Sequence, residues 1–273
     1  MRGTQVSQMS AWATERFGER AAQVRGQLAA SLLEASGNAQ DAQKSSRSGK
    51  RYAYGSTLMA RRYEALLDGF RAMPGFQSVR PHGSPHHLVV LDGNLFLPFR
   101  YAEDDTTPIS EARVGDGRVS ALVRELFNRF GPAPSYYQEV LDIATALPQD
   151  ADAEAAEQAE LAAARPVLAQ LPDDTRLIPV AYAANAQAGL LRLHWGEAEL
   201  IDDMGRVHWT HCEQIPLLSA LPWVTPAASP AQRFDEGAEP GLDLTRRPAA
   251  ERSLFPVAGS GEVTSIAAAD ERP

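Results

Sequence analysis

One cysteine, Cys212, stands among 273 residues, so no intramolecular disulfide can form and a small cross-linked scaffold is excluded. A lone thiol fits a reducing compartment, and we expect a cytoplasmic chain. Lysine is nearly missing too: only Lys44 and Lys50 occur, and arginine supplies the rest of the 26 basic side chains. No apolar run approaches the roughly 18 residues a membrane-spanning helix needs. The opening MRGTQVSQMSAWATERFG lacks the apolar centre of a secretory signal, so no membrane contact is expected. Nucleotide-loop and nucleophile motifs are also wanting. Lys44-Ser45 follows Gln43 rather than glycine, Gly49-Lys50 precedes Arg51, and no serine sits in a G-x-S-x-G elbow.

What the chain does have is uneven charge. Residues 1–100 carry thirteen basic and seven acidic side chains, whereas 101–273 carry thirteen and 28, for a net charge of −9. The N-terminal part therefore faces either an anionic partner or the acidic remainder of the chain. Arg47, Lys50, Arg51, Arg61 and Arg62, interleaved with Tyr52 and Tyr54, are the candidate nucleic-acid or anion contacts. Glu64 lies three residues from Arg61, close enough on a helix to neutralise it.

Apolar periodicity divides the chain. Phe17, Ala21, Val24, Leu28, Leu32 and Ala35 recur at helical spacing behind a Ser10 cap, which predicts a separable amphipathic helix in 1–36. The polar stretch 37–50 reads as a flexible linker. A second helix is expected over 57–73, with Met59, Tyr63, Leu66, Phe70 and Met73 inward and Pro74-Gly75 ending it. The period then changes to two, giving strands in FQSVRPH, HHLVVLDG and NLFLPFRYA, the last two joined by a tight turn at Asp92-Gly93-Asn94. Pro98 cannot donate to a ladder and assigns its strand to a sheet edge or a bulge. Helices follow at 118–130 and from Ser135 to Leu147, completing a helix–hairpin–helix part over 51–149.

Residues 150–170 read as an acidic, alanine-rich helical spacer, exposed to solvent. An antiparallel β-meander is expected over 171–224, and 225–273 reads as a disordered acidic tail with six prolines and no periodicity. The expected fold class is α+β: N-terminal amphipathic helices, a central β-hairpin flanked by helices, a C-terminal antiparallel β-meander and a disordered tail.

Chemistry-bearing residues are few. His208, His211 and Cys212 can all ligate metals, but in a regular strand His208 and Cys212 face one side while His211 shares the other with Trp209. No metal site is assigned. His82, His86 and His87 flank a turn, and a strand would put His87 about 16 Å from Asp92, too far for a local dyad. The segment Gly115-Asp116-Gly117-Arg118-Val119-Ser120 opens a helix and reads as a turn with a cap rather than a phosphate cradle.

Two functions follow. The first is a non-catalytic interaction or regulatory protein, contacting a protein partner or a second copy through residues 10–36, with nucleic acid as the other candidate partner. The alternative is a nuclease-like or other metal-dependent hydrolase, its site drawn from Asp92, Arg100, His208 and His211 between hairpin and meander. The sequence names no cofactor.

Overall fold

The computed structural model describes residues 9–81, 84–115, 117–133, 135 and 151–217. Their fold is α+β. Helices α1 (Ala11–Phe17), α2 (Ala21–Ser46) and α3 (Tyr52–Phe70) precede strands β1 (Phe76–Val79), β2 (Leu88–Leu91) and β3 (Asn94–Ala102). After them come α4 (Ala121–Phe130), α5 (Ala151–Leu168), β4 (Arg176–Asn185), β5 (Gly189–Leu200) and β6 (Val207–Gln214).

Ser10 caps α1 as expected, its hydroxyl accepting from the Ala13 amide at 3.1 Å. The helix then breaks at Gly18, whose φ of 57° is open to glycine and strained for other residues. After one 3₁₀ turn α2 begins, and it does not stop at Ser36-Gly37. It continues to Ser46, so 37–50 is not a linker. The reason is packing: Ser36 and Ala39 are buried, and that burial outweighs the roughly 1 kcal/mol a mid-helix glycine costs. Gln43 then fastens the turn into α3, donating to the carbonyls of Ser48 (2.8 Å) and Lys50 (3.0 Å) and accepting from the Tyr54 amide (3.1 Å).

Nor is 1–36 a detached helix. Phe17, Val24, Leu28, Leu32 and Ala35 are buried in one cluster with α3 and the sheet, so the apolar face expected to meet a partner is covered within the chain. α2 and α3 run antiparallel, with Gly69 near the end of α3 against Gln27 and Ser31 of α2. α3 also begins earlier than its apolar spacing implies, and its inward stripe is Tyr54, Leu58, Ala65, Leu66 and Phe70. Met59, expected inside, is 55% exposed.

All six strands form one mixed sheet in chain order. The β2–β3 hairpin and the β4–β5–β6 meander are antiparallel as expected, and a parallel β3–β4 pairing joins them. β3 therefore lies between β2 and β4 over its first residues, so Pro98, expected at a sheet edge or a bulge, does not mark an edge along the whole strand; Pro98 pairs with Val180, and a bulge follows between Arg100 and Ala102. One sheet face, with Leu91, Phe96, Val180, Tyr182 and Trp195, packs under α1–α3. The other, with Val90, Leu95, Leu97, Phe99 and Ala181, meets α4 and α5.

α4 is capped by Ser120, which accepts from the Val123 amide at 3.4 Å. α5 is helical as its composition predicts, but it is no solvated spacer. Ala164 and Leu168 are buried, and ion pairs Arg124–Glu157 (3.6 Å) and Arg165–Glu125 (3.5 Å) tie it to α4. Among the described residues no helix is long and apolar enough to cross a membrane. The expected helix at 135–147 and the tail at 225–273 lie outside the described residues, apart from Ser135.

Candidate functional site

The turn between β2 and β3 sets the geometry of the site. Asp92 and Gly93 both have positive φ, 47° and 74°, the signature of the type I′ hairpin turn whose twist matches paired strands. Leu91 and Asn94 are then a hydrogen-bonded pair, so the main-chain groups of residues 94, 96, 98 and 100 project toward the β2 side. The opposite parity agrees, since the Gly93 carbonyl accepts from the Arg176 amide on the β4 side at 2.8 Å.

β2 pairs with β3 only as far as Val89↔Phe96, whereas β3 continues along β4 to Ala102. Among the described residues, the strand from Leu97 onward has a neighbour on one side alone. Pro98 falls where its missing N–H would have pointed at no partner, so the proline rule holds for this half-edge though not for the whole strand. The Pro98 carbonyl and the Arg100 amide and carbonyl lie along the open side. Upstream of β2 the chain turns away, and His86 stacks on Tyr63 at 4.4 Å between ring centroids.

This open half forms the floor of a cleft of about 490 Å³. One wall is α3, through Gly55, Leu58, Met59, Arg62 and Tyr63. The other is Val114, Gly115 and Arg118–Ser120, leading into α4 at Val123. Backbone bonds hold that second wall against the β5–β6 turn: the Val114 amide donates to Gly205 O and the Val119 amide to Asp203 O, both at 2.8 Å. The segment expected to be only a turn with a cap is thus also a cleft wall, and its cap is Ser120. A shallower depression continues past Arg100 and Gly115 to Met204. Tyr52, Met59 and Met204 are the large apolar side chains most exposed among the described residues; Met59 and Met204 line the two hollows.

Arg62, Arg100 and Arg118 line the cleft, and no aspartate or glutamate does among the described residues. The Arg62 guanidinium lies over the Tyr63 ring at 4.9 Å and donates to its hydroxyl at 3.5 Å. Burial alone would lower the Arg62 pKa, but the adjacent Tyr63 and Tyr182 raise it above the ordinary value, so the group is a permanent cation. Tyr182, 1% exposed, lies beside Arg62, and among the described residues its hydroxyl hydrogen finds no acceptor in hydrogen-bonding geometry. Burial raises the Tyr182 pKa, which keeps that hydroxyl protonated. The Ser120-capped start of α4 adds the positive end of a helix dipole.

The residues expected at sites are distributed differently. Of the basic set only Arg62 enters the cleft. Arg61, one position earlier, is held outside by Glu34 and Glu64, both at 2.8 Å. Arg51 pairs with Glu103 at 2.9 Å, Lys50 lies 5.7 Å from the Tyr52 ring, and Arg47 ends α2 at a left-handed φ of 50°. Of the hydrolase set, Arg100 enters the cleft and pairs with Glu103 at 3.0 Å. Asp92 instead locks the hairpin turn, paired with Arg20 and pressed against Gly75. Eight strand residues put it about 26 Å from Arg100, and three strand spacings, about 14 Å, separate its strand from that of His208.

His208 and His211 lie on the far edge strand, and a bulge there alters the expected facing. Glu197 pairs with His211 but Ala198 with Trp209, so Thr210 is an extra residue. Trp209 accordingly packs on the α4–α5 face, whereas His211 stacks on Trp12 of α1 at 4.7 Å. Burial pushes the Cys212 thiol up to about 11, which suppresses the thiolate that would bind a metal or act as a nucleophile. Among the described residues no group of three or more His, Cys, Asp and Glu could hold a metal ion.

Tyr63 and Tyr182 escaped the sequence reading because each looked like an ordinary apolar position. The available signal was Pro98 with Arg100: a strand that abandons donors and acquires charge midway has lost a neighbour there. Comparison with known proteins finds no family model, no curated protein and no solved structure that matches the chain.

Proposed function

We propose that the protein is a non-catalytic, cytoplasmic binding protein that takes up an extended polypeptide segment by adding it as a strand to the open half of β3. The observation that carries this reading is that, among the described residues, no strand pairs with the backbone of Pro98 and Arg100 at the floor of a cleft with walls on both sides. Strand addition needs such an edge for main-chain hydrogen bonds and flanking pockets for alternate side chains. The cleft supplies Leu58, Met59 and Tyr63 on one flank and Val114, Val119 and Val123 on the other. Five strand residues span about 16 Å, room for a short segment. Its lining offers guanidinium and phenol groups but, among the described residues, no carboxylate, imidazole or thiol to serve as base or nucleophile, which favours binding over turnover. The contact surface moves from residues 10–36 to the cleft because the apolar face of those helices is already covered.

The test is a selection of randomised dodecapeptides displayed against the full chain, followed by amide hydrogen exchange of the best binder's complex. Slowed exchange at Arg100 and in the α3 wall is expected. Binders that protect only the β1 or β6 edge, or a selection that yields none, would reject strand addition at β3.

A further inference from the structure

We infer that the segment docked along β3 carries an acidic side chain, and that Arg62, with the Tyr182 hydroxyl and Arg100, is the pocket for its carboxylate. This rests on the strand-addition reading and specifies its chemistry. Three observations meet at the same place. Arg62 lines the cleft with its Nε atom lacking a hydrogen-bond partner and, among the described residues, meets no carboxylate, whereas its neighbour Arg61 has two. Tyr182 lines the same cleft, 1% exposed, with a hydroxyl donor that, among the described residues, meets no acceptor in hydrogen-bonding geometry. Arg100 projects from the strand that would receive the segment, and its present partner, Glu103, is half exposed and shared with Arg51.

A buried donor left without an acceptor is destabilising, and a guanidinium presents a fork that fits the two oxygens of a carboxylate. An acid on the incoming strand would satisfy Arg62 and Tyr182 together. Charge selectivity follows, since the cleft concentrates cations in a chain whose net charge is −9. Nucleic acid is the weaker occupant for the same cations. Phosphate binding favours a continuous exposed basic stripe, whereas Arg61 and Arg51 on the outer surface already hold acids and the cleft walls are apolar.

The test uses the full chain and the selected dodecapeptides, N-acetylated and C-amidated so that only side chains carry charge. We expect an Asp or Glu at one strand position in most binders, and a loss of tenfold or more in affinity when that residue becomes Asn or Gln. Arg62→Met should remove the difference between the acidic and amide peptides. Tyr182→Phe, which keeps the buried ring, should reduce it several-fold and serves if Arg62→Met does not fold. Peptides that protect β3 yet show no preference for an acid would overturn the carboxylate pocket and leave strand addition standing. No protection at β3 would overturn both. A labelled dodecathymidylate that binds in competition with the peptides and is lost in Arg62→Met would overturn the peptide assignment in favour of nucleic acid.

Discussion

Residues 94–96 of β3 lie between β2 and β4, whereas residues 97–102 have, among the described residues, β4 alone. Leu97 and Phe99 stay buried, but the residues whose main chain faces the β2 side change in character there. Leu95 and Phe96 are apolar and fully covered. Pro98 and Arg100 follow, one unable to donate a strand hydrogen bond and the other charged. Both are devices that discourage indiscriminate pairing at a sheet edge. The difference shows how one strand can be paired on both sides at one end and, among the described residues, on one side at the other. Both the closed and the open half bury apolar side chains, Leu95 and Phe96 in one and Leu97 and Phe99 in the other, so what separates them is the pairing of the main chain.

The largest expected effect lies in the closed half. Phe96 stacks on Phe17 at 6.0 Å and meets Phe70 at 5.3 Å between centroids, so Phe96→Ala should cost about 3–5 kcal/mol in urea unfolding. Met59→Ala on the rim of the open half should shift stability by less than about 0.5 kcal/mol. Similar losses at the two positions would mean that the open half is packed as tightly as the closed one.

A second probe sits behind the end of the open half, where Tyr101 meets His194 edge-on at 6.0 Å. Burial, and then the nearby Arg192, lower the His194 pKa to about 4 from an ordinary 6.5. Between those values the unfolded chain binds a proton that the folded chain refuses. This contribution therefore favours the fold above pH 6.5 and declines as pH falls toward 4, by at most roughly 3 kcal/mol. Urea titrations over that window should show the slope, and His194→Gln should flatten it. An unchanged slope in the variant would assign the acid sensitivity to other groups.

The part of this architecture that could be read from the sequence is the part governed by local rules. Ser10 as a cap, Asp92-Gly93 as a hairpin turn and the strand character of β4–β6 depend on neighbours within a few positions, and they hold. Gly37 failed as a helix stop because its fate is decided by the α3 side chains packed against Ser36 and Ala39, which spacing along α2 does not reveal. The bulge at Thr210 is likewise invisible to alternation, and it turned His211 toward Trp12. The cleft was half legible: Arg62 and Arg100 were singled out, but for separate sites, because the parallel β3–β4 pairing that builds the sheet around β3 leaves no local mark. Tyr182 becomes polar in meaning only once Arg62 is beside it.

A smaller effect is expected at the cleft wall. Ser120→Ala removes the cap of α4 and should cost about 1 kcal/mol. It should also speed amide exchange at Val123, whose N–H the hydroxyl now accepts. A loss of that size without faster exchange at Val123 would place its origin elsewhere in the wall.

Pro98→Val gives the smallest change in stability and the sharpest separation of the two halves. Valine restores freedom to the unfolded chain, worth about 0.4–1 kcal/mol against the fold, but favours extended backbone, so the net shift should stay within about 1 kcal/mol. What it adds is an N–H on the open side, because residue 98 shares the parity of Phe96 rather than that of Leu97. If a peptide strand lies there, that donor gains a partner, and a net hydrogen bond of about 1 kcal/mol corresponds to severalfold tighter binding. The same change on the β4-facing parity would do nothing for a peptide. Isothermal titration of the selected dodecapeptides against both chains reads the difference directly: tighter binding in Pro98→Val puts the peptide backbone beside residue 98, whereas equal affinity places it against the α3 wall without strand pairing.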